Sequence, residues 1–360
     1  LSNQSGKFPQ PIAKFNSGQS CAGLGYHGGT LTCDTACRYV ETDCESFGRC
    51  GDGVLQAAYE ACEGADLGGA TCADVVPQRP HGVLRCDAAC GFDTTDCTWL
   101  ELVMVPGGTF QRDETPTNLS TVSAFRMGKY EVTRAQFMAV MGTDPSDAGA
   151  SSGTEDPVQM VNWYHAITFC NKLSLQEGLT PVYTVTGVNF TTLTFAQVPT
   201  TENATWNAVT ANWSANGYRL PTEMEWMWAA MGADVENPGA VNTTGYLKAF
   251  AGSDGSNSIG DYVWYATNSS SMTHPTGVKL PNELGFSDLS GNVWEFVWDW
   301  YSEVLPLGSI SDYRGQAGGT DRISHGGAWS NQFSYCSIAF RDFYAPFDRG
   351  NGHGFRVVRH

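Results

Sequence analysis

The run His325-Gly-Gly-Ala328-Trp329-Ser330-Asn331-Gln-Phe333-Ser-Tyr335-Cys336 continues through Phe340-Arg341-Asp342-Phe343-Tyr344 and closes on Gly354-Phe355-Arg356-Val-Val358. A core strand would be more aliphatic, and a solvated loop would hold fewer rings. Trp329, Phe333, Tyr335, Phe340, Phe343 and Tyr344 alternate here with Ser, Asn and Gln. Binding surfaces favour such a mixture, because rigid amphipathic rings give contact area and small polar groups give adaptable hydrogen bonds. The same residues would also suit an irregular, buried terminal segment. Composition alone leaves both readings open.

The rest of the chain sets bounds on that choice. A length of 360 residues allows two or three domains. A hydrophobic share of 41% with 12% aromatic supplies a sizeable core, and 41 glycines point to loops and turns rather than helical bundles. Twenty basic against 37 acidic residues give a net charge of −17. That balance excludes a nucleic-acid partner, since phosphate contacts need clustered Lys and Arg. No apolar run approaches the length of a membrane span. A chain that opens on Leu1 reads as processed or trimmed. Ten of the twelve cysteines precede residue 98, which points to an oxidising compartment. Asn118, Asn203 and Asn242 begin Asn-x-Ser/Thr triplets, which carry glycans only in a eukaryotic secretory pathway.

Residues 1–20 read as a polar tail or linker. Residues 21–97 form a disulfide-rich region of two related blocks, 21–44 and 50–97. Gly29-Thr-Leu-Thr-Cys33-Asp-Thr-Ala-Cys37 through Asp43-Cys44 repeats as Gly82-Val-Leu-Arg-Cys86-Asp-Ala-Ala-Cys90 through Asp96-Cys97. Such short, glycine-rich segments cannot bury enough surface to fold without cross-links. Five disulfides are the simplest account, and their pairing is open. Zinc is the rival reading, because Cys-x3-Cys is near ligand spacing. The Cys50-Gly-Asp-Gly start resembles the cysteine-rich repeats of bacterial cell-surface proteins. That resemblance implies a spacer, an adhesion module or a self-assembly contact, and no chemistry.

Residues 98–360 change in character. Glu101–Phe110 reads as a strand with a turn at Pro106-Gly107-Gly108. Helices are predicted from Thr133 to Gly142, from Asn162 to Gly178, and from Thr222, with a capping box to Glu225, to Gly232. Six blocks then occur in order. They are Gly107-Gly108-Thr-Phe, Met127-Gly-Lys-Tyr-Glu-Val-Thr133, Pro157-Val-Gln-Met-Val-Asn-Trp163, Tyr218-Arg-Leu-Pro-Thr-Glu-Met-Glu-Trp226, Asn282 through Asp288-Leu-Ser-Gly291-Asn-Val293-Trp-Glu295, and the closing aromatic stretch. Together they resemble the sulfatase-modifying-factor family, whose founding activity is formylglycine generation.

The resemblance implies an α+β, C-type-lectin-like fold with much irregular loop, preceded here by the small disulfide-rich region. The family includes copper-dependent formylglycine-generating enzymes, iron-dependent sulfoxide synthases and non-catalytic ligand-binding proteins. Its oxidases use two cysteines five residues apart after the glycine pair. Here the second position is Cys336 and the first is Asn331, while Ala328 replaces the hydroxyl that usually follows the glycines. One thiolate with an amide partner is a poor copper site. Ligand-binding members often carry cysteines at two positions that match Cys170 and Cys336, so the resemblance implies a disulfide between them. It also implies a calcium loop, with carboxylates from Asp288 and Glu295 and main-chain carbonyls from Gly291 and Val293. The seven histidines show no i, i+4 pair and no His-x-His spacing, which weighs against iron. His325 and His353 flank the aromatic stretch and could meet in space. Arg219 and Arg356 read as internal hydrogen-bond hubs, and Trp294, Trp298 and Trp300 as core.

The leading expectation is a secreted or cell-surface, non-catalytic protein on the bacterial exterior or in the periplasm. It would recognise a protein or glycan through Trp329, Ser330, Asn331, Phe333, Tyr335, Phe340, Asp342, Phe343 and Tyr344. One alternative is an oxidoreductase of altered metal use centred on Cys336. A second is a structural subunit of an extracellular assembly.

Overall fold

The three expected helices start at side chains that satisfy otherwise free amides. In the computed structural model, which describes residues 19–36 and 38–360, α1 is Arg134–Met141, α2 is Trp163–Gln176 and α3 is Glu223–Ala230. Thr133 accepts from the Gln136 amide and Gln136 returns its side chain to the Thr133 amide; Thr222 and Glu225 do the same for α3. In α2 the returning group is an imidazole, His165 Nδ1, which accepts from the Asn162 amide at 3.2 Å. Gly142, Gly178 and Gly232 lie at or just past the helix ends with φ of +73°, +73° and +84°, the left-handed backbone that glycine adopts without steric cost.

The chain divides into two compact units, the first ending at Trp99 and the second running Leu100–His360. In the first, two-residue ladders and short turns surround a very small apolar cluster of Cys72, Leu84 and Cys97. Disulfides Cys21–Cys44, Cys50–Cys90, Cys62–Cys86 and Cys72–Cys97 hold it. The repeat is visible in the pairing, because Cys21–Cys44 and Cys72–Cys97 occupy equivalent positions of the two blocks. The expected fifth bridge would need Cys33, which is exposed, and Cys37, which lies outside the described residues. So does most of the expected 1–20 tail, from 1 to 18.

The second unit is built around three sheets of three or four strands, with a separate two-stranded ladder of Tyr183–Thr184 and Thr210–Ala211. Strands β1 (Leu102–Val105), β2 (Gly108–Gln111), β3 (Leu119–Val122) and β4 (Phe125–Gly128) follow one another closely, yet β1 and β2 do not pair. β1 pairs with β4, and β2 with β3, so Pro106-Gly107-Gly108 carries the chain from one sheet to the next. Gly108 is required there, since a Cβ would lie 2.3 Å from the Trp228 ring. Later come β5 (Trp294–Trp300), β6 (Ile310–Ser311), β7 (Arg322–His325), β8 (Asp342–Tyr344), β9 (His353–Gly354) and β10 (Val358–Arg359). The sheets run β10-β4-β1, β6-β3-β2 and β8-β7-β5-β9. α3 is buried on every side, its Met, Trp and Ala in the core and its two carboxylates, Glu223 and Glu225, paired with Arg341 and Arg219. It packs in one cluster with Phe110, Phe125, Leu289, Val297, Ile323 and Val358. Among the described residues no helix is long and apolar enough to cross a membrane.

Candidate functional site

β5 organises the site, because its alternate side chains face opposite ways. Glu295, Val297 and Asp299 turn toward α3: Glu295 accepts from Trp226 Nε1 at 2.7 Å, and Asp299 from the Glu223 amide at 2.8 Å. Trp294, Phe296, Trp298 and Trp300 form an aromatic row on the other face. The closing stretch lays a second aromatic layer on that row. Tyr335 and Phe340 pack on Trp294 with centroids 6.4 and 6.0 Å away and 4.7 Å from each other. Tyr344 sits edge-on to Phe296 and to His353. Phe343 stacks on Tyr301 at 4.1 Å.

Main-chain and side-chain bonds fix the loop that carries these rings. The Trp329 amide donates to Asn292 O, its indole donates to Asn351 O, and its carbonyl accepts from Ser269 Oγ, each at 2.8 Å. Asn331 Oδ1 accepts from the Ala328 amide at 2.9 Å, while the Asn331 amide donates to Ala328 O. Ser330 is exposed. Asp342 holds Tyr344 Oη at 2.8 Å and the Phe343 amide at 2.9 Å. Phe333, Tyr335 and Phe343 remain 62%, 36% and 44% exposed, and Phe343, paired with Ile323, lies on the face of the sheet opposite Tyr344, so the nine expected residues do not share one face.

Cys170 and Cys336 are both buried free thiols, which corrects the expected disulfide. They sit in separate surroundings: Cys336 packs with Phe250 and Val263, whereas Cys170 lies beside Arg219 and Tyr183. Cys336 still anchors the stretch, through apolar burial and a carbonyl that accepts from Ser290 Oγ at 2.8 Å. Burial pushes its thiol up to about 12, far from the thiolate that copper or nucleophilic chemistry needs. The amide of Asn331, at the position of the family's other thiolate, is already taken by the Ala328 amide. These donors do not fit a copper centre.

The calcium loop places its residues differently from one another. Asp288, at φ +59°, accepts from the Gly277 amide through Oδ2, and its buried Oδ1 has no partner. Burial, with a smaller push from Glu295, raises its carboxyl to about 6. Glu295 lies in a fork-to-fork contact with Arg356, at 2.6 to 2.8 Å. Glu131 was missed in the sequence, although it stands in the quoted Met127–Thr133 block. It is fully buried, accepts from Asn292 Nδ2 and the Val293 amide, and is driven well upward by burial and then by Asp288 and Glu295. Three buried carboxylates therefore face one guanidinium. That excess of negative charge and the bare Oδ1 fit a hard cation near Asp288, Gly291 and Val293.

Other sequence expectations also find their places. Arg356 donates to Gly128 O, Lys129 O and Ser287 O, and Arg219 to Leu220 O and, bidentately, to Glu225. His325 and His353 flank β5 on opposite faces and do not converge: His325 stacks on Trp226, His353 packs against Tyr344. A cleft of about 290 Å³ is lined by Trp213, Arg219, Glu225, Asp312 and Arg314, none of them from the aromatic stretch.

Known proteins share this architecture. The chaperone protein LppX of Paenibacillus barcinonensis is 36% identical over 266 residues, covering 72% of this chain and 89% of that protein. The mouse formylglycine-generating enzyme is 24% identical over 304 residues, covering 72% of this chain and 74% of the enzyme. Among solved structures, Treponema denticola variable protein 1 is 34% identical, with a TM-score of 0.64 over 72% of this chain and 94% of that one. The signature of the sulfatase-modifying factor enzyme 1-like domain matches residues 92–360. The second unit thus has the C-type-lectin-like fold of formylglycine-generating enzymes, and the chain belongs to the sulfatase-modifying factor family.

Proposed function

We propose that the family domain is a non-catalytic recognition module that binds a protein or glycan ligand outside the cell through Trp329–Tyr344. The observation that carries this reading is the exposure of three large rings of the closing stretch, Phe333, Tyr335 and Phe343. Exposed large rings work against solubility unless a partner covers them. Tyr335 rests on Trp294 and Phe343 on Tyr301, so these two rings have little ordering entropy to lose on binding. The names of the similar proteins, a chaperone and a variable protein, are compatible with a binding role. Four disulfides and the absence of a membrane-crossing helix among the described residues fit an extracellular or periplasmic protein, and secretion or surface display is the form proposed. The first unit would then serve as stalk or assembly contact. Calcium at Asp288, Gly291 and Val293, with Glu295 as a further carboxylate, would brace the loop from which β5 starts.

The test is a screen of the full chain over arrays of glycans and of secreted and surface proteins. Each hit is then titrated with the wild type and with a Phe333→Ala/Tyr335→Ala/Phe343→Ala variant. The reading expects affinity to drop by at least about tenfold, in line with the loss of central aromatic contacts. A ligand bound equally well by both proteins would place recognition elsewhere.

A further inference from the structure

We propose that the first unit holds a latent zinc site, closed by the Cys50–Cys90 disulfide and formed when that bridge is reduced. Cys50, Glu60, Glu63 and Cys90 each offer one ligand atom, and these four atoms lie within 4.8 Å of one another. No other group of three or more such residues converges this closely among the described residues. Two thiolates and two carboxylate oxygens are a donor set for a four-coordinate, borderline-soft ion. Bonds of about 2.0–2.3 Å set tetrahedral ligands roughly 3.3–3.8 Å apart, so small side-chain rotations complete the site.

The frame of the site does not depend on the bridge that closes it. Glu60 and Glu63 flank Cys62, which is tied to Cys86 by its own disulfide. The Ala61 and Cys62 amides donate to Cys90 O at 3.1 and 3.3 Å, so Cys90 stays against the two carboxylates when its sulfur is released. The Cys50 segment is held by the Gly51 and Gly53 amides, which donate to Glu63 at 2.8 and 3.0 Å. Cys90 Sγ is already 3.2 Å from Glu63 Oε2. His27 Nε2 lies 3.2 Å from Glu60 Oε2, where it can orient that carboxylate from behind, as outer partners of metal ligands do. Cys50 is half-buried, which gives a reductant access from its side.

The chemistry balances with a dithiol as reductant. Two thiol–disulfide exchanges pass two electrons to the Cys50–Cys90 bond, leave the dithiol as a cyclic disulfide and give two cysteine thiols. Zinc then displaces both thiol protons, and the buried carboxylates complete the coordination without further proton release. The unit would thus hold a structural disulfide under oxidising conditions and a structural metal under reducing ones.

The experiment uses the full chain and a phosphine reductant. Phosphine plus disulfide plus water gives phosphine oxide and two thiols, and the phosphine contributes no thiol of its own. Zinc is added at graded phosphine concentrations, free thiols are alkylated, and the alkylated peptides are mapped by mass. The expected result is that Cys50 and Cys90 open before Cys62–Cys86, that zinc slows their alkylation by about tenfold or more, and that Glu60→Gln or Glu63→Gln weakens this protection by about tenfold. The disulfide map of each unreduced variant reports whether it has folded, and the wild-type protection is a readout independent of both. Equal alkylation of Cys50 and Cys90 with and without zinc would overturn the proposal. So would a Cys50–Cys90 bridge that opens only after Cys62–Cys86 is lost, or protection that persists in both folded variants.

Discussion

Arg341, in the middle of the aromatic stretch, grips Glu223 at the first turn of α3 through both Nε and Nη2, and its Nη1 donates to Ser302 O at 2.7 Å. Glu223 is almost fully buried and also meets His325 Nε2 at 3.3 Å. Burial pulls its carboxyl upward, but His325 and the Arg341 guanidinium together hold it below the usual range. One ion pair therefore fastens the outward-facing layer to the core helix.

Removing that fastening should both destabilise the domain and loosen the surface. Arg341→Ala leaves a buried carboxylate short of its partner, a loss of about 2–4 kcal/mol for a largely buried pair. Denaturant titration reads the loss, and hydrogen exchange should quicken at residues 340–344. Unchanged exchange there would mean that the loop is held by its rings alone.

Calcium should raise the stability of the second unit. At about a hundredfold excess over its dissociation constant, a ligand of the folded state adds about 2.7 kcal/mol. Thermal unfolding with and without calcium measures this, and Asp288→Ala should abolish the difference. A wild-type midpoint indifferent to calcium would remove the metal from the description of this loop.

The two unpaired thiols of the second unit should be silent in the folded chain. Burial raises both far above the range in which thiolates form, Cys336 to about 12. A chromogenic disulfide reagent should therefore reach Cys170 and Cys336 only after unfolding under non-reducing conditions. Rapid reaction of Cys336 in the native chain would reopen the oxidoreductase alternative. Cys336→Ser should cost roughly 1–3 kcal/mol, because a hydroxyl among Phe250 and Val263 lacks a partner.

Acid should weaken the domain through two buried imidazoles. Burial lowers His165 to about 3 and His353 to about 4, whereas an unfolded histidine titrates near about 6.5. A depressed imidazole pKa means that the unfolded chain takes up protons first. Stability is thus full above about pH 6.5 and falls as pH drops toward the folded values, by roughly 2 kcal/mol per histidine at pH 5. The raised carboxyls Asp288 and Glu131 work the other way, so the comparison that isolates the effect is wild type against His165→Asn/His353→Asn. If both proteins lost stability with the same slope between pH 7 and 5, the imidazoles would not be responsible.

Local signals in the sequence were the legible ones. The helix caps at Thr133, Asn162 and Thr222 could be read directly, because capping depends on residues three apart. Arg219 and Arg356 were readable as hubs, since a buried guanidinium has few other uses. Pairings across long separations were not readable. Nothing near Pro106 says that β1 and β2 join different sheets, and nothing near Arg341 points to Glu223, 118 residues away. Glu131 was hidden in plain view, because its role emerges only when Asp288 and Glu295 are folded beside it. The Cys170–Cys336 expectation failed for the same reason: residue type fixes which bond two thiols can make, and only the fold fixes whether they meet.

The terminal strand β10 carries a last consequence. It pairs with β4, and Val358 exchanges main-chain bonds with Arg219 just before α3. The aromatic stretch is therefore moored at both ends, by β7 before it and by β10 after it. Its exposed positions include Ser330 and Phe333, while Cys336, Ile338 and Arg341 are held by the core. On the proposed recognition reading, substitutions at these exposed positions should change ligand affinity with little change in the midpoint of unfolding.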